Sequence, residues 1–129
     1  MDITWVLFKT VLAIHKRQIA EHGGSDGVRD EGLLLSALAR PQNVQAYSED
    51  ADMAAFAAAY AFGIAKNHPF IDGNKRTALV VMRTFLSANG CVFEASQEEK
   101  YTTFLKLADG SLSEDELVTW VRSKLSLKA

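Results

Sequence analysis

Two apolar helical segments enclose a polar stretch, residues His68 to Ala78, and this arrangement constrains the fold more than any other feature of the sequence. Apolar side chains recur at helical spacing before the stretch and continue almost without interruption after it, over 78–86. The residues of the first pattern are Met53, Phe56, Ala57, Tyr60 and Ile64. Such spacing is typical of helices that bury one face. The sequence therefore predicts two buried helices joined by a polar turn, and a polar turn at that position indicates a functional role.

The residues of the turn fit a bound anion. Asp72-Gly73-Asn74 predicts a tight turn, and the next helix is expected to begin at about Asn74 or Lys75. Its first N–H groups and the positive end of its dipole then face outward. Lys75 and Arg76 lie in the first helical turn, where positive charge is unfavourable unless a polyanion binds there. The pattern favours the phosphate chain of a nucleotide.

Two side chains supply chemistry beside this phosphate site. His68 precedes Pro69, where the first helix must end, and an imidazole at such a rim can accept a proton. Asp72 offers oxygen ligands of the type that hold Mg2+ shared with substrate phosphates. Phe70 is expected to anchor the turn in the core without a chemical role. The alternative interpretation, in which Asp72 and Asn74 are only turn or capping residues, leaves the neighbouring positive charges unexplained.

The stretch from His68 to Arg76 resembles the signature of the Fic/Doc family, which reads His-x-Phe-x-Asp/Asn-Gly-Asn, then Lys or Gly, then Arg. Fic enzymes that transfer AMP usually have Gly where this chain has Lys75, and a second Arg where it has Leu79. Both departures resemble the Doc (death-on-curing) branch, the toxins of toxin–antitoxin pairs. The resemblance to Doc-type chains extends over 14–15, 23–24, 27–34 and 37–41.

The resemblance implies a reaction and its participants. A Doc-like toxin would transfer the γ-phosphate of ATP, with Mg2+ as cofactor, to a Ser or Thr hydroxyl of a protein, by resemblance elongation factor Tu, and so inhibit translation. A small antitoxin, whose C-terminal segment folds on binding, would restrain it. Two alternatives stay open: Fic-type transfer of AMP or UMP, and a catalytically idle protein-binding module. The residues assigned are His68 as catalytic base, Asp72 as metal ligand, and Gly73, Asn74, Lys75 and Arg76 as nucleotide-binding residues.

Composition and charge limit the class of protein. The chain has 129 residues, of which 48% are apolar and 23% charged, enough for one compact domain over 1–129. A net charge of −2 disfavours non-specific nucleic-acid binding. The single cysteine, Cys91, cannot form an internal disulfide, and the sequence has neither a basic leader nor an apolar run of membrane-spanning length. We therefore expect a cytoplasmic protein that acts on neither nucleic acid nor membranes.

The apolar periodicity predicts an all-α, Fic-like bundle of about six helices. The first spans 3–21 and ends at the glycine pair 23–24. His15 lies on its apolar stripe, and we interpret it as a packed, hydrogen-bonded histidine rather than a second catalytic group. The second helix begins at Asp30 and is expected to stop before Pro41.

The segment 42–48 has no helical pattern and predicts either a small flap or an ordinary loop. In the Fic fold a flap before the motif lines the target-binding groove, so the resemblance makes Val44 to Tyr47 the candidate docking segment for the protein substrate. Further elements are expected at Asp52–Lys66, from the motif to Asn89-Gly90, in a short extended piece at 91–94, and in two helices opened by Ser96 with Glu99 and by Ser113 with Glu116, the last reaching Leu125.

Overall fold

The computed structural model describes residues 2–127, which form six α-helices and one small sheet. The helices are α1 (Phe8–His22), α2 (Glu31–Tyr47), α3 (Met53–Asn67), α4 (Asn74–Ala88), α5 (Gln97–Asp109) and α6 (Glu114–Ser123). The strands β1 (Cys91–Phe93) and β2 (Leu125–Leu127) pair antiparallel. Over these residues the fold is all-α apart from the two-stranded sheet, which confirms the predicted class. None of these helices combines the length and apolarity needed to cross a bilayer.

Helix α3 is the central element and packs against α2, α4 and α6. Its alanines make this possible, because small side chains let neighbouring helices approach closely. At Gly63 an added Cβ would lie 3.2 Å from both the Cα and the Cβ of Ala37, so the backbones of α3 and α2 nearly touch there. The fully buried alanines of α3 are Ala57, Ala58, Ala59 and Ala61. Since α3 and α4 are both held in this core, the polar turn that joins them has fixed ends.

Several helix boundaries lie where the side chains predict them. Asp30 caps α2 and Asp52 caps α3, each accepting a hydrogen bond from a backbone N–H of the first turn. Helix α4 begins at Asn74, as expected, and Asn89 forms its C-cap. Both predicted capping boxes are present, Ser96 with Glu99 and Ser113 with Glu116.

The prediction that the second helix stops before Pro41 is wrong, because α2 continues through this proline to Tyr47. A proline inside a helix lacks an N–H donor and crowds the preceding turn. Here Pro41 is buried, as are Ala37 and Leu34 one and two turns earlier, and this packing offsets the cost. Residues 42–47 are therefore helical, with Ser48 as the C-cap. The expectation of a flap at 42–48 is wrong for the same reason.

The N-terminal residues 3–7 precede α1 and are not helical, contrary to the prediction. Side chains of α3 and of the C-cap of α4 accept hydrogen bonds from the backbone of this segment instead. Thr4 N–H donates to the side-chain oxygen of Asn89, and Val6 N–H donates to the hydroxyl of Tyr60. The Trp5 ring also stacks near Phe85, with the ring centroids 5.7 Å apart. Apolar periodicity therefore reported burial of this segment correctly but not its backbone conformation.

The last helix is shorter than predicted. It ends at Ser123, and Leu125 belongs to β2, where it lies opposite Phe93 of β1. A strand of three residues shows too little periodicity to be separated from the tail of a helix. The extended piece predicted at 91–94 is present as β1.

Candidate active site

Helix α3 ends at Asn67 and presents His68 at the surface in a left-handed backbone conformation. His68 has φ 52° and ψ 54°, and its N–H donates to the Ile64 carbonyl at 3.1 Å. Within residues 2–127 it is the only non-glycine residue with a positive φ. A left-handed residue often ends a helix, but glycine usually fills this position because a Cβ is unfavourable there. His68 therefore combines an exposed imidazole with a backbone conformation that is unfavourable for a residue with a Cβ.

Phe70 anchors the turn in the core, as predicted. Its ring is fully buried and stacks on His15, with centroids 3.8 Å apart and planes inclined by 6°. Asn74 holds the Phe70 backbone: its Oδ1 accepts from Phe70 N–H and its Nδ2 donates to the Phe70 carbonyl, both at 3.0 Å. The side-chain amide of Asn74 is therefore buried and fully engaged within the turn.

Asp72 presents an exposed carboxylate that the surrounding backbone orients. Its Oδ2 accepts from Ser25 N–H at 3.2 Å and its Oδ1 accepts from Gly73 N–H at 3.0 Å. These two hydrogen bonds, and then the charge of Arg76, hold the pKa of the Asp72 carboxyl below its ordinary value. The Asp72 backbone carbonyl accepts from Nε2–H of the buried His15 at 2.8 Å. Both ends of Asp72 are thus fixed, and its carboxylate is ionised at neutral pH.

Helix α4 begins without a capping side chain. Its N-cap, Gly73, is left-handed with φ 75° and ψ 19°. Thr77 N–H donates to the Gly73 carbonyl at 3.0 Å. The N–H groups of Asn74, Lys75 and Arg76 are therefore the uncapped donors of the helix N-terminus. Uncapped N–H groups at the positive end of a helix dipole are the kind of donor that anions favour.

One surface cavity of about 370 Å³ gathers these groups. It is lined by His68, Asp72, Gly73, Asn74, Lys75 and Arg76, together with Ala65 and Ala108. The structure thus brings every residue that the sequence analysis assigned to the site around one space. A groove of about 300 Å³ adjoins it, shares Lys75 and Arg76, and has apolar walls from α4 and α5 that include Leu79, Tyr101, Phe104 and Leu105. The cavity is thus lined by charged groups, and the groove beside it has apolar walls.

The predicted docking segment 44–47 does not reach this cavity. Val44 and Tyr47 line a different surface depression, which shares no residue with the cavity. The segment that does pair with the turn comes from the α1–α2 connection, where Val28 forms an antiparallel bridge with Phe70. The N–H and C=O of Val28 have no hydrogen-bond partner in residues 2–127, and in this bridge geometry they point away from Phe70. One extended residue, which we call the Val28 edge and whose N–H and C=O are unpaired within the described part of the chain, therefore lies beside the turn.

Three contributions of distant residues to the turn were not predicted from the sequence. An added Cβ at Gly24 would lie 2.8 Å from Asp72 Oδ2, so any side chain here would displace the Asp72 carboxylate. The Arg29 guanidinium donates to the carbonyls of Asn67 and His68. The third is the bond from His15 to the Asp72 carbonyl; a packed, hydrogen-bonded His15 was predicted correctly, but its partner was not. These contacts join residues far apart in the chain, and no local spacing pattern signals them.

Comparison with known proteins decides the family. The family model described as Fic/DOC matches residues 5–86, which include α1 to α3, the complete turn between α3 and α4, and all but the last two residues of α4. The chain belongs to the Fic/DOC family. It is 36% identical to "Protein kinase doc" of Escherichia phage P1 over 88 residues, which cover 67% of this chain and 70% of that protein.

Two further relatives of this Fic/DOC chain differ in how much they share with it. "Toxin Doc" of Mycolicibacterium smegmatis is 49% identical over 72 residues, 53% of each chain. "Protein adenylyltransferase Fic" of Drosophila ananassae is 30% identical over 129 residues, which are 84% of this chain but 25% of that protein. The chain thus spans about half of the mycobacterial relative and about a quarter of the fly relative.

Proposed function

We propose that this chain is a Doc-like toxin that transfers the γ-phosphate of ATP to a Ser or Thr hydroxyl of a protein. The proposal rests on one cavity, which brings together an exposed histidine, an ionised carboxylate and an uncapped helix N-terminus. Two positively charged side chains, Lys75 and Arg76, lie at that N-terminus. Phosphoryl transfer asks little covalent chemistry of a protein and depends on positioning and on neutralisation of charge. The groups around this cavity have the chemistry for both.

Each residue has a role that follows from its chemistry. The target hydroxyl oxygen attacks the γ-phosphorus, the bond from phosphorus to the β,γ-bridging oxygen breaks, and ADP leaves. His68 accepts the hydroxyl proton through its imidazole. Backbone N–H groups at the start of α4 bind phosphate oxygens, and the Lys75 and Arg76 side chains offset their charge. Because the Asn74 amide already binds Phe70, Asn74 contributes its main-chain N–H.

Asp72 fits Mg2+ that is shared with the nucleotide. Its carboxylate is exposed and ionised, and in residues 2–127 no group of three or more His, Cys, Asp or Glu side chains forms a self-sufficient metal site. Mg2+ commonly binds through one or two carboxylates together with substrate phosphates. The bound ion would supply charge neutralisation at the phosphates. The hydrogen bonds from Ser25 and Gly73 keep the Asp72 carboxylate in a fixed orientation for it.

We assign the docking of the protein substrate to the Val28 edge in place of 44–47. An open strand edge binds an extended peptide through main-chain hydrogen bonds. Apolar side chains flank this edge, since Val28 and Ile71 are 39% and 51% exposed. A peptide bound there would lie next to the turn that carries His68. The exposed edge and its apolar flanks support this assignment.

Transfer of AMP is the second candidate, and the similarity to the fly adenylyltransferase over 84% of the chain favours it. The two reactions differ in which phosphorus atom meets the hydroxyl. Lys75 and Arg76 concentrate positive charge at the mouth of the turn, whereas Leu79, one turn later, is uncharged and lines the groove beside α5. This distribution favours the γ-phosphate, the most highly charged end of ATP, beside His68.

The role as a toxin rests on the similarity to the two Doc proteins. By resemblance we propose elongation factor Tu as the target and arrested translation as the result. The proposed partner is a small antitoxin whose C-terminal segment folds on binding. Expression of the wild-type chain without a partner should arrest growth, whereas His68→Ala should not. Harmless expression of a protein with confirmed transfer activity would contradict the toxin role and leave the chemistry intact.

The intact mass of elongation factor Tu, measured after incubation with MgATP and this chain, tests the reaction. A gain of one phosphate supports the proposal, a gain of one nucleotidyl group supports the second candidate, and an unchanged mass supports an idle binding module. His68→Ala should give no gain. Arg17→Ala is the matched control, because Arg17 is exposed on α1, pairs only with Glu21 among the described residues, and lies outside the cavity.

A further inference from the structure

Asn67 ends α3, and His68 and Pro69 follow it; one distant residue binds the backbone carbonyls of all three. Arg29 Nε donates to the His68 carbonyl at 2.8 Å, and Arg29 Nη2 donates to the Asn67 carbonyl at 2.9 Å. Arg29 also uses its backbone N–H, which donates to the Pro69 carbonyl at 2.7 Å. The last carbonyls of a helix lack intrahelical partners and carry the negative end of its dipole, so a guanidinium is a favourable partner for them.

Arg29 binds the backbone on both sides of His68, whose left-handed conformation is unfavourable for a residue with a Cβ. His68 is the only non-glycine residue with positive φ in residues 2–127, and its imidazole is exposed, so side-chain packing does not fix its backbone. The hydrogen bond from His68 N–H to the Ile64 carbonyl fixes only the amide of His68. Arg29 holds the carbonyls on both sides of the His68 amide–Cα unit, at Asn67 before it and at His68 after it.

We infer that Arg29 is a positioning residue, which acts through the His68 backbone to aim the imidazole at the attacking hydroxyl. The inference rests on the proposed function, in which His68 accepts the proton. This role is distinct from a general role in folding, because other hydrogen bonds also hold the loop against the turn. The main-chain bonds from Arg29 and Asp30 to the Pro69 carbonyl, at 2.7 Å and 3.1 Å, remain when the Arg29 side chain is removed.

The fork shape of the guanidinium is essential to this role. Two nitrogens of one planar group reach two different carbonyls, which a single ammonium cannot do with the same geometry. Arg29→Lys therefore keeps the charge and loses one of the two bonds. Arg29→Ala loses both bonds and leaves a surface gap, because the side chain is exposed.

The test compares Arg29→Ala and Arg29→Lys with wild type and with the exposed control Arg17→Ala, using MgATP and elongation factor Tu. We expect kcat to fall by at least about tenfold in Arg29→Ala, since displacement of a catalytic group by about 1 Å can cost about a hundredfold. The KM for ATP and the melting temperature should stay close to wild type, and Arg29→Lys should fall between. Added guanidinium chloride at non-denaturing concentration should restore part of the activity of Arg29→Ala. It should leave the activity of Arg29→Lys unchanged.

A second measurement separates failure of this inference from failure of the proposed function. The ¹³Cα chemical shift of His68 reports its left-handed backbone without any catalysis, and it should move in Arg29→Ala and not in Arg17→Ala. An unchanged shift together with wild-type kcat overturns the inference while the proposed function stands. If wild type itself transfers nothing, the proposed function fails, and the chemical shift alone decides whether Arg29 holds His68.

Discussion

Replacing His68 by alanine and by glycine separates what its backbone does from what its side chain does. Both variants lack the imidazole, and the His68 side chain is exposed, so they lose equally little packing. At φ 52° and ψ 54° a Cβ is unfavourable, and alanine retains it. A non-glycine residue in this conformation costs about 1–2 kcal/mol. Glycine has more conformational entropy in the unfolded chain, and this lowers the stability of a glycine variant by about 0.5–1 kcal/mol. We therefore expect His68→Gly to be more stable than His68→Ala by about 0.75 kcal/mol, the difference between the midpoints of these two ranges.

Urea unfolding at equilibrium measures this difference directly, provided that the two variants share the same dependence on urea concentration. The glycine variant should unfold at the higher midpoint, and neither variant should modify elongation factor Tu. Equal midpoints, or a more stable alanine variant, would show that the His68 backbone is not held in a costly conformation. Transfer activity in either variant would refute the role of the imidazole as base, whatever the midpoints.

Three further perturbations follow from the geometry. Asp72→Ala should weaken MgATP binding and leave binding of ATP in EDTA unchanged, as calorimetry can show; equal MgATP affinity would make Asp72 a turn residue only. Gly24→Ala should raise the Mg2+ concentration for half-maximal activity, because its Cβ would lie 2.8 Å from Asp72 Oδ2, whereas Gly23→Ala, also at positive φ but with no neighbour within 4 Å, should not. The hydrogen bond from Arg122, together with one from a backbone N–H, lowers the pKa of Asp52. The ionised Asp52 carboxylate therefore stabilises the fold above the ordinary carboxyl pKa, and this stabilisation is lost as pH falls below about 4. Asp52→Ala should cost about 1–2 kcal/mol at pH 7, the sum of a helix cap and an exposed ion pair, and less at pH 3; an equal cost at both pH values would contradict this.

The parts of the fold that the sequence predicts are those with local causes. The start of α4 follows from Gly73, and the two capping boxes follow from a serine and a glutamate three positions later. Pro41 misled the prediction because its local cost is offset by burial against the core, which no local pattern shows. Residues 3–7 and β2 depend on partners elsewhere in the chain: Asn89 and Tyr60 for the first, and β1 for the second.

The candidate site divides in the same way. His68, Asp72 and the start of α4 lie within nine consecutive residues, so one motif contains them and the cavity gathers them. The groups that hold this motif in shape, His15, Gly24 and Arg29, come from α1 and the loop after it. Their contacts span about 40 to 60 positions of sequence. Only the folded chain brings them together, which is also why the strand edge at Val28 replaces 44–47 as the docking candidate.

ATP labelled at a single phosphorus atom distinguishes phosphate transfer from AMP transfer in one experiment. The wild-type chain is incubated with Mg2+, elongation factor Tu and ATP that carries its label at either the α- or the γ-phosphorus, with His68→Ala as the inactive control. We predict that label from γ-labelled ATP appears on a Ser or Thr of the target, and that none appears from α-labelled ATP. Label transferred from the α position alone would contradict phosphate transfer and establish the AMP reaction for this chain.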